Sequence, residues 1–93
     1  MHLGEVLERR AITVVFQPIL ALADGGIVGH EALVRGPAGT WLESPTALFA
    51  AAREGGCYEA LAIVCIQETL KAFAANGSRG LLFLNMSPRL VQR

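Results

Sequence analysis

Leu81-Leu82-Phe83-Leu84 is the most restrictive stretch of this 93-residue chain. Successive side chains of a strand point to opposite faces, so four large apolar residues in a row need cover on both. That pattern belongs to a parallel, doubly covered sheet, and we expect a strand from Leu81 through Asn85 to Met86. Two earlier runs share its character. Ile12-Thr13-Val14-Val15-Phe16-Gln17 is β-branched and mostly apolar, which predicts a first buried strand. Pro18 then lacks a backbone donor and ends the hydrogen-bonding capacity at that position. Ile27 to Val34 predicts a second strand. Asp24-Gly25-Gly26 between them is a hairpin-type turn, so the first two strands should be antiparallel neighbours.

Helical signals fill the rest. Leu3, Val6, Leu7 and Arg10 fit a short amphipathic helix. Gly36-Pro37-Ala38-Gly39 breaks the second strand. Ser44-Pro45 is a helix start, because Ser caps free amides and Pro suits the first helical position. That helix should run from Pro45 to Glu54 and stop at Gly55-Gly56. A longer one should span about Cys57 to Ala75 and stop at Asn76-Gly77. It carries two apolar stripes, Leu61, Val64 and Cys65 on one and Ile63, Ile66, Leu70 and Phe73 on the other, which predicts packing on more than one side. Strand two, these helices and strand three make a crossover of the βα type. Ser87-Pro88 repeats the helix-start signature about one turn before Arg93. The expected class is α/β, with three strands and about three helices, and the interrupted final helix reads as a truncation.

Charge and composition narrow the function classes. Eight basic residues balance eight acidic ones. Duplex nucleic acid calls for clustered Lys and Arg, and no such cluster occurs. The uncharged run Ala11–Ala23 contains Gln17 and Pro18 and falls short of the ~20 residues that span a bilayer. No signal peptide is seen at the start. Cys57 and Cys65 on one straight helix lie about 12 Å apart along its axis, too far to bridge, so reduced thiols in a cytosolic protein are expected. The apolar fraction of 53% is high and the charged fraction of 17% is low. Such a chain has more apolar surface than a small, well-solvated monomer tolerates, and reads as a piece of a larger body or as an oligomer.

Polar residues embedded in the apolar strands are the candidates for chemistry, since burying them is costly unless they are paired or coordinated. They are Gln17 near the end of strand one, Glu31 and Arg35 in or just beyond strand two, and Asn85 near the end of strand three. If the strands belong to a barrel, these groups gather near one rim. A carboxylate and an amide oxygen suit a hard cation such as Mg²⁺ or Mn²⁺. A period of two places Glu31, Leu33 and Arg35 on one strand face, where Arg35 could hold a phosphate. The plainer alternative has Glu31 and Arg35 pairing with each other and Asn85 making a turn. From spacing alone that alternative carries more weight.

Phe16-Gln17-Pro18-Ile19, then Gly29-His30-Glu31-Ala32-Leu33-Val34-Arg35-Gly36-Pro37, then Leu84-Asn85-Met86-Ser87-Pro88, resemble three successive motifs of the EAL family. The Ser44-Pro45, Leu48-Phe49, Ala52 and Gly55 pattern resembles the segment between the second and third. Glu-Ala-Leu alone would be trivial, but the ordered set is specific and covers nearly the whole chain. The resemblance implies part of a modified, TIM-like (β/α)₈ barrel with an antiparallel first strand. It implies a bacterial, cytoplasmic phosphodiesterase that hydrolyses cyclic di-GMP to linear pGpG with Mg²⁺ or Mn²⁺. It makes Glu31 and Asn85 metal ligands, Leu33 a substrate contact, Arg35 a phosphate contact and Gln17 a residue lying against the ligand. Glycine at position 36, where many members carry an aromatic residue, is a common variation. The family's remaining ligands and its catalytic lysine lie downstream of Arg93.

The expectation that follows is an N-terminal fragment, residues 1–93, of a single EAL domain, unable alone to turn over cyclic di-GMP and prone to self-association. The rival expectation is a degenerate EAL domain that binds cyclic di-GMP or docks a protein without hydrolysis. Among the other polar and aromatic residues, His30 should pack against a helix rather than serve as a ligand. His2 should be inert. Trp41 could stack on a base, but covering the apolar helix edge is the favoured reading. Glu54, Glu59 and Glu68 should lie on solvated helix faces, and Arg89 and Arg93 should be exposed.

Overall fold

Side-chain caps set the starts of the first two helices. In the computed structural model, which describes residues 2–77 and 80–84, α1 covers Leu3–Arg9, α2 Pro45–Glu54 and α3 Tyr58–Ala75. Ser44 caps α2 as its sequence predicts, its Oγ accepting from the Ala47 amide at 3.1 Å. His2 is not inert. Its Nδ1 accepts from the Glu5 amide at 3.4 Å, and it occupies the N-cap of α1. Arg10 closes α1 in the left-handed region, with φ 52°.

The strands are β1 Thr13–Leu20, β2 Ile27–Arg35 and β3 Leu81–Leu84. They form one sheet in the order β1-β2-β3, with β1 antiparallel and β3 parallel to β2. The hairpin and the parallel return are both as the sequence implies, and the class is α/β. The expected continuation of β3 through Asn85 and Met86, and the helix starting at Ser87-Pro88, lie outside the described residues.

Pro18 does not end β1. The strand continues to Leu20, with Pro18 opposite His30 and a register irregularity only between Ile19 and Leu20. β1 is the outer strand of the described sheet. An outer strand tolerates a missing N–H that an inner ladder would not.

Alternation sorts the sheet into two faces. Ala32 and Val34 are buried, and with Leu42, Leu48, Phe49, Leu61 and Cys65 the latter builds a core between β2 and the helices. Val14 packs against the same cluster. Phe16 meets Phe73 of α3 at a ring separation of 5.7 Å, so α3 also covers the corresponding face of β1. The opposite face carries Val15, Leu81 and Phe83, which are 49%, 61% and 46% exposed. Among the described residues the sheet is therefore covered on one side only.

The two stripes of α3 fare differently. Leu61, Val64 and Cys65 are buried as expected. Of the second stripe, Phe73 packs on the sheet while Ile63 and Leu70 remain exposed. Glu68 is not a solvated helix residue. Its carboxylate accepts from Arg10 Nε at 2.9 Å, and Gln67 Oε1 accepts from Arg10 Nη2 at 2.7 Å, tying the end of α1 to α3.

Candidate functional site

β2 supplies the densest row of candidates. Glu31, Leu33 and Arg35 alternate with buried Ala32 and Val34, so all three stand on the open face. β1 adds its own row across the antiparallel ladder. Gln17 lies opposite Glu31, Val15 opposite Leu33 and Thr13 opposite Arg35. β3 adds Phe83 on the other flank of Glu31. Directly opposed residues of a sheet have Cβ atoms roughly 5 Å apart, within reach of each other's side chains. The sequence candidates Gln17, Glu31, Leu33 and Arg35 are thus brought onto one surface. Asn85 lies outside the described residues.

Glu31 and Arg35 do not pair with each other. Four strand residues separate them by about 13 Å along the chain, and no ion pair joins them among the described residues. Arg35 instead turns back, Nη1 donating to the Val34 carbonyl at 2.9 Å. That contact leaves most of the guanidinium's donors directed elsewhere. The plainer sequence alternative, an internal Glu31–Arg35 pair, is therefore not what the fold adopts.

Two glycines shape this surface. At Gly29 a Cβ would come within 2.7 Å of the Leu81 carbonyl and 3.1 Å of the Phe83 ring, so its absence lets β3 close against β2 beside Glu31. At Gly36 a Cβ would overlap the Leu42 carbonyl oxygen. The Gly36 amide also donates to the Glu43 carbonyl at 3.0 Å. The strand end carrying Arg35 is in this way locked against the loop ahead of α2.

That loop builds a depression of about 460 Å³ at the Arg35 end, lined by Arg35, Thr40, Trp41, Glu43, Ser44 and Pro45. Trp41 stands near Ser44 and Pro45, the start of α2, in the lining of this depression. It is 66% exposed and forms part of this wall. Nothing local in the sequence marks this indole as exposed.

His30 faces the helices, its ring edge-on to Phe73 at 6.2 Å, and its Nδ1 is buried without a hydrogen-bond partner among the described residues. It stands on the side of β2 away from Glu31, as the alternation predicts. Cys57 and Cys65 are free. Burial pushes the Cys65 thiol up from 9.0 to about 11, so it is neither a nucleophile nor a ligand at neutral pH. No group of three or more His, Cys, Asp or Glu among the described residues could hold a metal ion by itself. No helix of the described residues is long and apolar enough to cross a membrane.

The EAL domain family model matches residues 2–93. This chain belongs to the EAL domain family. One curated relative, the probable cyclic di-GMP phosphodiesterase PdeB of Escherichia coli (strain K12), is 41% identical over 72 residues. That match takes in 75% of this chain and 14% of the relative. The EAL domain of FimX from Pseudomonas aeruginosa, solved bound to c-di-GMP, superposes with a TM-score of 0.71 at 27% identity. A further solved FimX EAL domain gives 0.68 at 28%. Each FimX superposition covers 98% of this chain, and 37% or 38% of the FimX chain. This EAL chain therefore spans little more than a third of those solved domains.

Proposed function

We propose that these 93 residues are the N-terminal part of a single EAL domain, a TIM-like barrel whose complete form hydrolyses cyclic di-GMP to pGpG in the bacterial cytoplasm. The observation carrying this reading is the shared open face of β2, where Glu31, Leu33 and Arg35 stand in a row with Gln17 opposite Glu31. The open face supplies, in order along one strand, a carboxylate, an apolar contact and a guanidinium. A cyclic dinucleotide offers matching groups: phosphates for Arg35, ribose and base surfaces for Leu33, and an amide-accessible edge for Gln17.

The Glu31 carboxylate fits a divalent cation as one ligand. It makes no hydrogen bond or ion pair among the described residues, and its lone pairs are available to Mg²⁺ or Mn²⁺. Asn85 is proposed as a second ligand, with the others supplied by the rest of the domain. When bound, such an ion lowers the pKa of its water and stabilises charge on the phosphoryl oxygens. Arg35 holds and orients the phosphate, Leu33 excludes water beside it, and Gln17 fixes the ligand's position next to Glu31.

A Mn²⁺-dependent assay of the full-length protein tests this, with pGpG as the product measured. Turnover that disappears in Glu31→Ala and falls steeply in Arg35→Ala is the expected result. Undiminished turnover in Glu31→Ala would falsify the proposal. The 93-residue chain by itself is expected to release no pGpG, because one carboxylate and one amide do not complete a metal centre.

The second reading is a non-hydrolytic binding module. It is favoured by the likeness to FimX, whose EAL domain is described as bound to c-di-GMP. Tight binding of cyclic di-GMP by the full-length protein with no pGpG release under Mg²⁺ or Mn²⁺ would select it. Retention of Glu31, Arg35 and Asn85 favours hydrolysis.

We also propose that the 93-residue chain associates with itself. The uncovered sheet face bears Val15, Leu81 and Phe83, and α3 bears exposed Ile63 and Leu70. Apolar surface of this kind is removed from water when copies meet. Light scattering at rising concentration should show the mass increase; a constant monomer mass up to millimolar chain would rule this out.

A further inference from the structure

We propose that Trp41 is a base-stacking wall for a nucleotide ligand and contributes to its affinity. This inference rests on the phosphate-binding reading of Arg35 given above. It starts from an anomaly of burial. Trp41 is the single tryptophan of the chain, and it is 66% exposed in a chain whose other residues on this loop include the fully buried Leu42. A large aromatic ring left in water beside a depression has surface to offer a flat partner.

The depression has the right dimensions and polarity. Its volume of about 460 Å³ lies in the range of small-molecule sites. Arg35, Trp41 and Glu43 all contribute to its lining. Most of the remaining polar groups are already committed. The Thr40 hydroxyl donates to the Pro37 carbonyl at 2.7 Å. Ser44 Oγ accepts from Ala47, and Glu43 Oε1 accepts from the Gly39 amide at 3.2 Å. The negative charge of Glu43 repels a phosphate, so the anionic end of a ligand belongs at Arg35. The flat, uncharged end then falls to Trp41.

The geometry is supported from behind. The lack of a Cβ at Gly36 lets the strand end approach the Leu42 carbonyl, and the Gly36 amide ties it there by donating to the Glu43 carbonyl. Thr40 Oγ1 also accepts from the Leu42 amide at 3.3 Å. Leu42 itself is anchored in the core. Trp41 is therefore presented on a braced turn, and its exposure is built into the backbone path.

Stacking on an aromatic ring is sequence-tolerant, because every base has a π-face. Trp41 thus tunes affinity, while discrimination among bases falls to other groups.

The test is equilibrium binding of cyclic di-GMP to the full-length protein in EDTA, which keeps the ligand intact. Four proteins are compared: wild type, Arg35→Ala, Trp41→Phe and Trp41→Ala. Trp41→Phe should bind within about threefold of wild type, and Trp41→Ala about tenfold or more weakly, the size expected for losing one stacked base. Circular dichroism of Trp41→Ala should match wild type, since an exposed ring contributes little packing. Wild-type affinity in Trp41→Ala, with binding lost in Arg35→Ala, overturns this inference and leaves the phosphate reading standing. A Phe variant as weak as the Ala variant also overturns it, because stacking needs only a flat ring. No binding by the wild type overturns the phosphate reading and this inference with it.

Discussion

Gln17 of β1 stands directly opposite Glu31 of β2 on the uncovered face of the sheet. The pairing places an amide that can both donate and accept beside a carboxylate that only accepts. Neither residue is needed to close the core, which lies on the other face. On the function proposed above, stability and ligand chemistry are separated by the pleat of one strand, and substitutions can address them independently.

Glu31→Ala is expected to leave folding stability within about 0.5 kcal/mol, because surface substitutions away from packed features seldom do more. In the same variant cyclic di-GMP hydrolysis by the full-length protein should be lost. Denaturant midpoints and pGpG release, measured side by side, check the pair. A large fall in the midpoint would mean that Glu31 is structural.

Leu48 is fully buried among the helices and Leu70 is 53% exposed on α3. Leu48→Ala should cost about 2–5 kcal/mol through lost burial and the cavity left behind. Leu70→Ala should cost under about 1 kcal/mol. Urea titration of both proteins gives the comparison, and equal losses would contradict the assignment of the core.

Gly36→Ala should destabilise by about 1–3 kcal/mol, the usual cost of overpacking, since the added methyl meets the Leu42 backbone oxygen rather than a flexible side chain. The nucleotide affinity should fall as well, as Arg35 is the preceding residue. Retained stability with Ala at this position would show that the loop can relax.

Arg10 combines a left-handed backbone with side-chain bonds to Glu68 and Gln67. Arg10→Gly relieves the backbone penalty but loses the bonds, so its net effect should be small. Arg10→Ala loses the bonds and keeps the penalty, and should be the less stable of the two by about 0.5–1 kcal/mol. Thermal melts of the two variants under one buffer decide this. Both variants lose the Arg10–Glu68 ion pair, so the difference between them should not vary with salt, whereas the wild type's margin over each should shrink as salt screens the partly exposed pair.

Cys65 gives a pH signature. Its folded thiol titrates at about 11 against 9.0 unperturbed, because burial disfavours the thiolate. Below pH 9 both states keep the proton and the group adds no pH dependence. Between pH 9 and 11 the unfolded chain releases its proton and the folded chain does not, so stability falls as pH rises. Cys65→Ala should remove that part of the slope. At pH 8 a thiol reagent should label Cys57, which is half-buried, well before Cys65. Equal labelling rates in the folded protein would argue against the burial of Cys65.

Much of this was legible in the residues before any coordinates. Ser44-Pro45 and Gly55-Gly56 bound α2 as read, because capping and αL termination act within a turn. Asp24-Gly25-Gly26 foretold the hairpin, where Asp24 Oδ1 accepts from the Gly26 amide at 2.8 Å. The alternation along β2 put Glu31, Leu33 and Arg35 together for the same local reason. Pro18 misled, because its effect depends on whether a strand lies on its far side. Glu68 and His2 depart from their sequence expectations, because the partner of Glu68, Arg10, lies far along the chain and the role of His2 comes from the cap's own geometry.

By itself, then, the sequence determined where helices begin and stop, where the hairpin turns and which strand residues share a side. Those follow from φ preferences, caps and a period of two, all confined to a few neighbouring residues. Only the tertiary structure decided that Glu31 stands opposite Gln17 and makes no pair with Arg35, and that Trp41 stays exposed in the wall it shares with Arg35. Those outcomes depend on register and on contacts such as Gly36 against Leu42, which arise only when separated segments pack.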